Sequence, residues 1–226
     1  ADFVTEEDIV KVFDHHVGFE NYWLQRIGDN AHIEFIGACA TLIWEEYKKR
    51  GQAENISMLS GNLLSVGILS NTLNFGAQIT HQRDADAFRE LQALHPLSED
   101  WIAQYFQDQE EYVNKDVVEA ITNDTKVITE LNLKYPLVIG QLELWNGGVF
   151  LEKNQEVIKE TLEGFKSEYW LMSIPSLREK KNYIYTENSD MKELLSKILN
   201  ITFEGDRGTT DRLWLRKEIL KELHSL

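Results

Sequence analysis

From residue 36 to about residue 123 the chain reads as a succession of helices with apolar faces. One short apolar run, Ile9-Val10-Lys11-Val12-Phe13, precedes them, and strands follow only afterwards. That order constrains the fold more than any other feature. A helix with one apolar face must lay it against a partner layer, and the early run supplies a single buried strand of such a layer. The first part is therefore expected to be α/β, with helices packed on a sheet. After Asn123 strands alternate with helices, so a second, compact mixed α/β domain is expected there, giving domains over 1–123 and 124–226.

Within the helical part, residues 36–50 form a first helix with Gly51 as its stop, and residues 59–69 form a second that leads into Ser70-Asn71-Thr72-Leu73-Asn74-Phe75. Residues 84–94 carry Phe88, Leu91 and Leu94 at helical spacing and end before Pro96, while Trp101, Tyr105 and Tyr112 mark an acidic helix. Residues 126–128 and 137–144 read as paired strands. Residues 154–165 are helical, and 170–174 and 183–185 are strands with Pro175 between them. A helix over 190–199 has Asp190 and Glu193 at capping-box spacing, and 212–223 closes the chain as an amphipathic segment.

Composition narrows the chemistry. A formal net charge of −15 argues against a nucleic-acid partner, whose affinity comes from Lys and Arg on phosphates. No apolar stretch approaches the ~20 residues of a membrane span, and Ala1-Asp2-Phe3-Val4-Thr5-Glu6-Glu7-Asp8 lacks a signal-peptide pattern. A cytoplasmic location is expected. Cys39 is the only cysteine, so any metal must be held by His, Asp or Glu, which favours harder cations such as manganese or magnesium.

Asp14-His15-His16 ends the early apolar run, putting two imidazoles and a carboxylate where a strand gives way to a loop. Chemistry gathers at such strand ends in α/β sheets, although three polar residues there also suit a capped turn. The small residues of Ile36-Gly37-Ala38-Cys39-Ala40 have two readings as well: a helix N-terminus open to phosphate, or close packing.

Taken in order, Val12-Phe13-Asp14-His15-His16, Ile36-Gly37-Ala38-Cys39-Ala40-Thr41-Leu42-Ile43, Leu69-Ser70-Asn71-Thr72-Leu73-Asn74-Phe75 through Asp84, and Leu215-Arg216-Lys217-Glu218 resemble the DHH phosphoesterase superfamily. The branch is that of manganese-dependent inorganic pyrophosphatases and exopolyphosphatases. The resemblance implies a doubly wound parallel-sheet DHH domain followed by a smaller DHHA2 domain that closes over it. It implies that His15 ligates a divalent metal, Mn2+ or Mg2+, that Asp14 orients the pair or supports the metal site, and that His16 contacts substrate phosphate or assists the leaving oxygen. Lys126, Arg216 and Lys217 would bring cationic charge to pyrophosphate, polyphosphate or another small phosphorylated substrate. From composition alone the favoured reading of Arg216 and Lys217 is a solvated face of the last helix, where terminal basic residues also suit the helix dipole, and a solvated place is favoured more strongly still for Lys126.

The resemblance also implies a His-x-x-x-Asp-x-Asp segment ahead of the DHH stretch, which the residues before Asp14 do not contain. At Asn71 the family has Asp. An amide oxygen there can ligate a hard cation, or cap the following turn. We therefore expect the C-terminal portion of a longer protein, inactive by itself, with apolar edges that invite a homodimer. A noncatalytic phosphate-binding or regulatory module is the competing reading. A nucleotide or oligonucleotide phosphodiesterase ranks lower, because Gly147-Gly148 lacks the histidine of that branch's accessory motif.

Overall fold

A computed structural model describes residues 4–16 and 18–225. The chain divides into two compact units, Ala1–Ser98 and Glu99–Leu226, so residues 99–123 count with the second. Among the described residues, no helix is long and apolar enough to cross a membrane.

In the first unit, β1 (Val12–Asp14) lies parallel to β2 (Ala31–Ile33), with Val12 opposite Ala31, Phe13 opposite His32 and Asp14 opposite Ile33. Helix α1 (Glu20–Ile27) forms the crossover that a parallel pair requires. The strand starts later than the apolar run suggests, because Val10 is exposed and pairing begins at Val12. It also takes in Asp14. Neither α1 nor β2 is apparent from periodicity, since a three-residue strand is too short to show any.

Helices α2 (Cys39–Lys49), α3 (Met58–Asn71) and α4 (Gln82–Leu94) pack around Trp44, Ile56, Ile68, Ala87 and Leu91. Ser57 caps α3 by accepting the Ser60 N–H at 3.1 Å. Helix α2 begins at Cys39 and not at Ile36, because the N–H groups of Gly37 and Ala38 are drawn to the Asp84 carboxylate.

The second unit contains α5 (Glu99–Lys115), α6 (Val117–Asn123), β3 (Thr125–Ile128), β4 (Leu137–Gln141), α7 (Gly147–Glu163), β5 (Tyr169–Ser176) and β6 (Lys181–Tyr185). It continues through α8 (Ser189–Leu199), β7 (Thr202–Glu204), β8 (Arg207–Thr210) and α9 (Arg216–His224). The sheet order is β3-β4-β5-β6-β8-β7, with β4 and β5 parallel across α7 and the other pairs antiparallel. The expected β3–β4 pair is present with Lys126 opposite Ile139.

Strands β4 and β5 are buried on both faces. Val138, Trp170, Met172 and Ile174 meet α6 and α7 residues such as Ile121, Leu151 and Ile158, whereas Leu137, Ile139 and Leu171 meet Met191, Leu195 and Ile219 on the other side. This is the period-two alternation of a pleated strand with a helical layer on each face.

Several boundaries of this unit move; the strand expected over 137–144 ends at Gln141, and the closing helix starts at Arg216 and not at residue 212. Pro175 lies inside β5, where its carbonyl accepts the Leu144 N–H at 2.9 Å, and not between strands. Helix α7 starts at Gly147, well before residue 154. Helix α8 is capped by Asn188, whose side chain accepts the Met191 N–H at 3.0 Å; Asp190 sits in the first turn and accepts the Tyr169 hydroxyl.

Candidate functional site

Asp14 ends β1 and His15 and His16 follow it, at the carboxyl end of a parallel strand. One ligand atom from each of the three lies within 4.8 Å of the others, the one such group of His, Cys, Asp and Glu among the described residues. Asp14 Oδ1 organises the turn. It accepts the backbone N–H of His15 at 2.7 Å and of His16 at 3.0 Å, and lies 2.8 Å from His16 Nδ1. Burial raises the Asp14 pKa, but the His16 ring and the two backbone N–H groups outweigh it, so the carboxyl sits below its ordinary range.

The two histidines have opposite surroundings. His15 is buried, and its Nδ1 lies 2.9 Å from the Gly37 carbonyl. A carbonyl can only accept, so Nδ1 is the donor, and in the neutral ring this places the lone pair on Nε2. Metal-ligating histidines are oriented in this way, with the other ring N–H given to a carbonyl or carboxylate. His16 is 64% exposed, its ring meeting that of His15 edge-on with centroids 4.6 Å apart. These donors, two imidazoles and a carboxylate, fit a divalent cation of borderline or hard character. Burial and the Asp14 charge push the Cys39 thiol up, so it is neutral beside the cluster.

The Gly37 carbonyl is held from behind. Asp84, fully buried, accepts the N–H of Gly37 at 3.1 Å, of Ala38 at 3.2 Å and of His81 at 2.7 Å, and the Thr41 hydroxyl at 2.6 Å. The α2 N-terminus therefore spends its leading N–H groups on an internal carboxylate, which favours the close-packing reading of Gly37-Ala38 over an open phosphate end. A Cβ at Gly37 would fall 2.4 Å from Asp84 Oδ2.

Asn71 is the last residue of α3, and its Nδ2 donates to the Gly67 carbonyl at 3.0 Å. Thr72, not Asn71, caps the next turn by accepting the Phe75 N–H at 3.1 Å. That turn puts Leu73, Asn74 and Phe75 at φ +51°, +52° and +62°, a left-handed stretch that costs non-glycine residues on the order of 1–2 kcal/mol each.

In the second unit Arg216 and Lys217 open α9. They stand at the positive end of the helix dipole, so the favourable dipole reading does not apply to them. Nor is Arg216 on a solvated face. Its side chain is 15% exposed and donates Nη1 to the Asp124 carbonyl at 2.6 Å and Nη2 to Asp124 Oδ1 at 2.7 Å. Asp124 follows α6, where backbone carbonyls concentrate negative potential. Lys217 shares the electrostatic field of Glu143 with Arg216, and Lys126 is exposed on β3. Gly37, beside His15 in the first unit, and Asp124, beside Arg216 in the second, carry structural roles that sequence reasoning did not assign. Asp124 has one local signal, its place two residues before Lys126.

A Methanococcus jannaschii protein assigned as a family II inorganic pyrophosphatase superposes on 96% of this chain and 73% of its own, with a TM-score of 0.72 and 19% identity. The chain has that fold. A Bacteroides fragilis exopolyphosphatase-related protein aligns over 94% of this chain and 61% of its own, at a TM-score of 0.41 and 13% identity. Comparison with protein-family models gives no match, and neither does comparison with curated proteins. The α/β architecture expected from the DHH and DHHA2 resemblance is thus the one the neighbouring pyrophosphatase structure displays.

Proposed function

We propose that this protein hydrolyses a phosphoanhydride such as pyrophosphate or polyphosphate, using a divalent cation, Mn2+ in preference to Mg2+, held by His15 with Asp14 in support. The observation that carries this reading is the buried His15 ring, its Nδ1 proton tied to Gly37 in an N/O donor cluster at a strand's carboxyl end. Bound there, the cation would supply Lewis acidity to a phosphoryl oxygen and lower the pKa of an attacking water.

The chain's own residues do the rest. Asp14 holds the turn and aims both histidines. His16, exposed beside them, reaches phosphate or gives a proton to the leaving oxygen. Arg216 and Lys217 offset phosphate charge, with Lys126 as a further cation on β3. At Arg216 the cost of opening a helix against its dipole is offset by the Asp124 carboxylate.

One observation favours a second reading, a phosphate-binding module without catalysis: a single group of His, Cys, Asp and Glu at ligand spacing among the described residues. Calorimetry with Mn2+, together with phosphate release from pyrophosphate and from tripolyphosphate, separates the two. The enzyme reading expects Mn2+ binding and Mn2+-dependent release, with His15→Ala weakening the metal by more than about a hundredfold, beyond the usual loss for an outer-shell partner. Phosphate-ligand binding without release would establish the module, and no Mn2+ binding would refute the proposed metal site.

A further inference from the structure

Resting on the reading of His15 as a metal ligand, we propose that Asp84 is a positioning residue for it, acting through the Gly37 peptide. Asp84 and His15 lie far apart in sequence and are joined by one backbone unit. Asp84 Oδ1 accepts the Ala38 N–H at 3.2 Å, the Gly37 carbonyl of that same peptide faces His15 Nδ1 at 2.9 Å, and Oδ2 holds the preceding peptide by the Gly37 N–H at 3.1 Å. Every member of this chain of contacts is buried.

The carboxylate is itself immobilised. Oδ2 also takes the His81 N–H at 2.7 Å, while Oδ1 takes the Ala38 N–H at 3.2 Å and the Thr41 hydroxyl at 2.6 Å. With four donors converging on it, Asp84 cannot swing. The peptide it grips cannot turn either, so the Gly37 carbonyl is presented to the imidazole at a fixed place and angle. Glycine at that position is a condition of the arrangement, because a side chain would begin 2.4 Å from Oδ2 and 2.9 Å from Thr72 Cγ2.

The physical consequence is a choice of tautomer. A neutral imidazole carries its proton on either nitrogen, and a fixed acceptor opposite Nδ1 holds it there and leaves the lone pair on Nε2. The carboxylate also polarises that carbonyl through the other end of its peptide, the Ala38 N–H, because an N–H that donates to a carboxylate strengthens its peptide's oxygen as an acceptor. Asp84 thereby prepares a ligand atom without touching the site. Capping α2 and α4 is a second effect of the same carboxylate, and the test separates the two.

The full chain, labelled with 15N-histidine and free of metal, reports the His15 tautomer in long-range 1H–15N spectra, and titration with Mn2+ alone reports affinity. The wild type is expected to show His15 protonated on Nδ1. Asp84→Asn is expected to give exchange-averaged ring shifts and Mn2+ binding about tenfold weaker, the low end for outer-shell partners. Thr41→Val removes a bond to the same carboxylate but spares those from Gly37 and Ala38, so it should lower stability while keeping the wild-type tautomer and affinity. Should Asp84→Asn not fold, the wild-type tautomer decides by itself, since a ring protonated on Nε2 is incompatible with a fixed acceptor opposite Nδ1.

The proposal is overturned by a wild-type His15 protonated on Nε2, by wild-type shifts and affinity in Asp84→Asn, or by Thr41→Val moving both as far as Asp84→Asn does. Absence of Mn2+ binding in the wild type would sink the proposed function instead. The tautomer comparison would still decide the role of Asp84.

Discussion

Replacing Gly37 by alanine should damage the first unit far more than replacing Gly67, although both add one methyl group to a buried or half-buried place. The backbone at Gly37 lies outside the left-handed region, so its need for glycine is one of space. The added Cβ would sit 2.4 Å from Asp84 Oδ2, and 2.9 Å from both Asp84 Cγ and Thr72 Cγ2. Four donors hold the carboxylate in place, so the backbone must move. Overpacking of this kind costs about 1–3 kcal/mol, and loss of a hydrogen bond to a buried charged acceptor adds about 1.5–3 kcal/mol. A loss of roughly 3–5 kcal/mol is expected on combining those two costs. At Gly67 the nearest atom is Ala40 Cβ at 3.2 Å, and the position is inside α3. There alanine gains about 1 kcal/mol of helix propensity, which offsets a mild contact. Native-state hydrogen exchange at the Ile68 and Leu91 amides reads the opening of this unit. Gly37→Ala should lower protection by on the order of a thousandfold, and Gly67→Ala by less than about tenfold. Protection in Gly37→Ala within tenfold of wild type would refute the picture of an immobile Asp84.

Two further outcomes follow from ion pairs. A double-mutant cycle on Arg216→Ala and Asp124→Ala should give a coupling of about 1 kcal/mol, since the guanidinium is mostly buried but the carboxylate is 44% exposed; additivity within the usual few tenths would show that the pair is incidental. The Glu46 carboxyl is held at about 2, below its ordinary 4.5, by hydrogen bonds first from Lys11 and then from Arg50. Because the folded value is the lower one, its stabilisation is fully present above about 4.5 and is lost as pH falls towards about 2. Carbon-13 titration of that carboxyl should move upward in Lys11→Met, and an unchanged midpoint would discount the Lys11 contact.

What was legible in the sequence was what depends on near neighbours. The antiparallel pair of β3 and β4, the helices over α3 and α4 and the break at Pro96 follow from spacing that a local window contains. The β7–β8 hairpin was not legible, because Thr202–Glu204 and Arg207–Thr210 form a polar edge with little apolar alternation. Its turn, with Gly205 at φ +65°, is the one local clue. The true start of α2 was hidden for a different reason. It is decided by Asp84, distant in sequence, whose carboxylate captures two N–H groups that would otherwise open the helix. At the site, the Asp14-His15-His16 run was visible as a motif. That His15 answers to Gly37, and Gly37 to Asp84, depends on contacts only the fold creates.

The two histidines differ in a way that their adjacency in sequence conceals. Both follow β1 in the turn organised by Asp14 Oδ1, and their rings stay together, edge-on with centroids 4.6 Å apart, while differing in burial. His15 goes inward to a fixed acceptor and is 8% exposed, while His16 goes outward and shares Asp14. A ligand benefits from being fixed, since each degree of freedom lost in folding need not be lost again on binding a cation. A proton donor or phosphate contact benefits from access, since substrate must arrive and product must leave. Exchanging the two environments would give a ligand that wanders and an acid that solvent cannot reach. The order inward then outward, set by one carboxylate at the end of a strand, is the one that the proposed roles call for, a fixed ligand at His15 and an accessible group at His16.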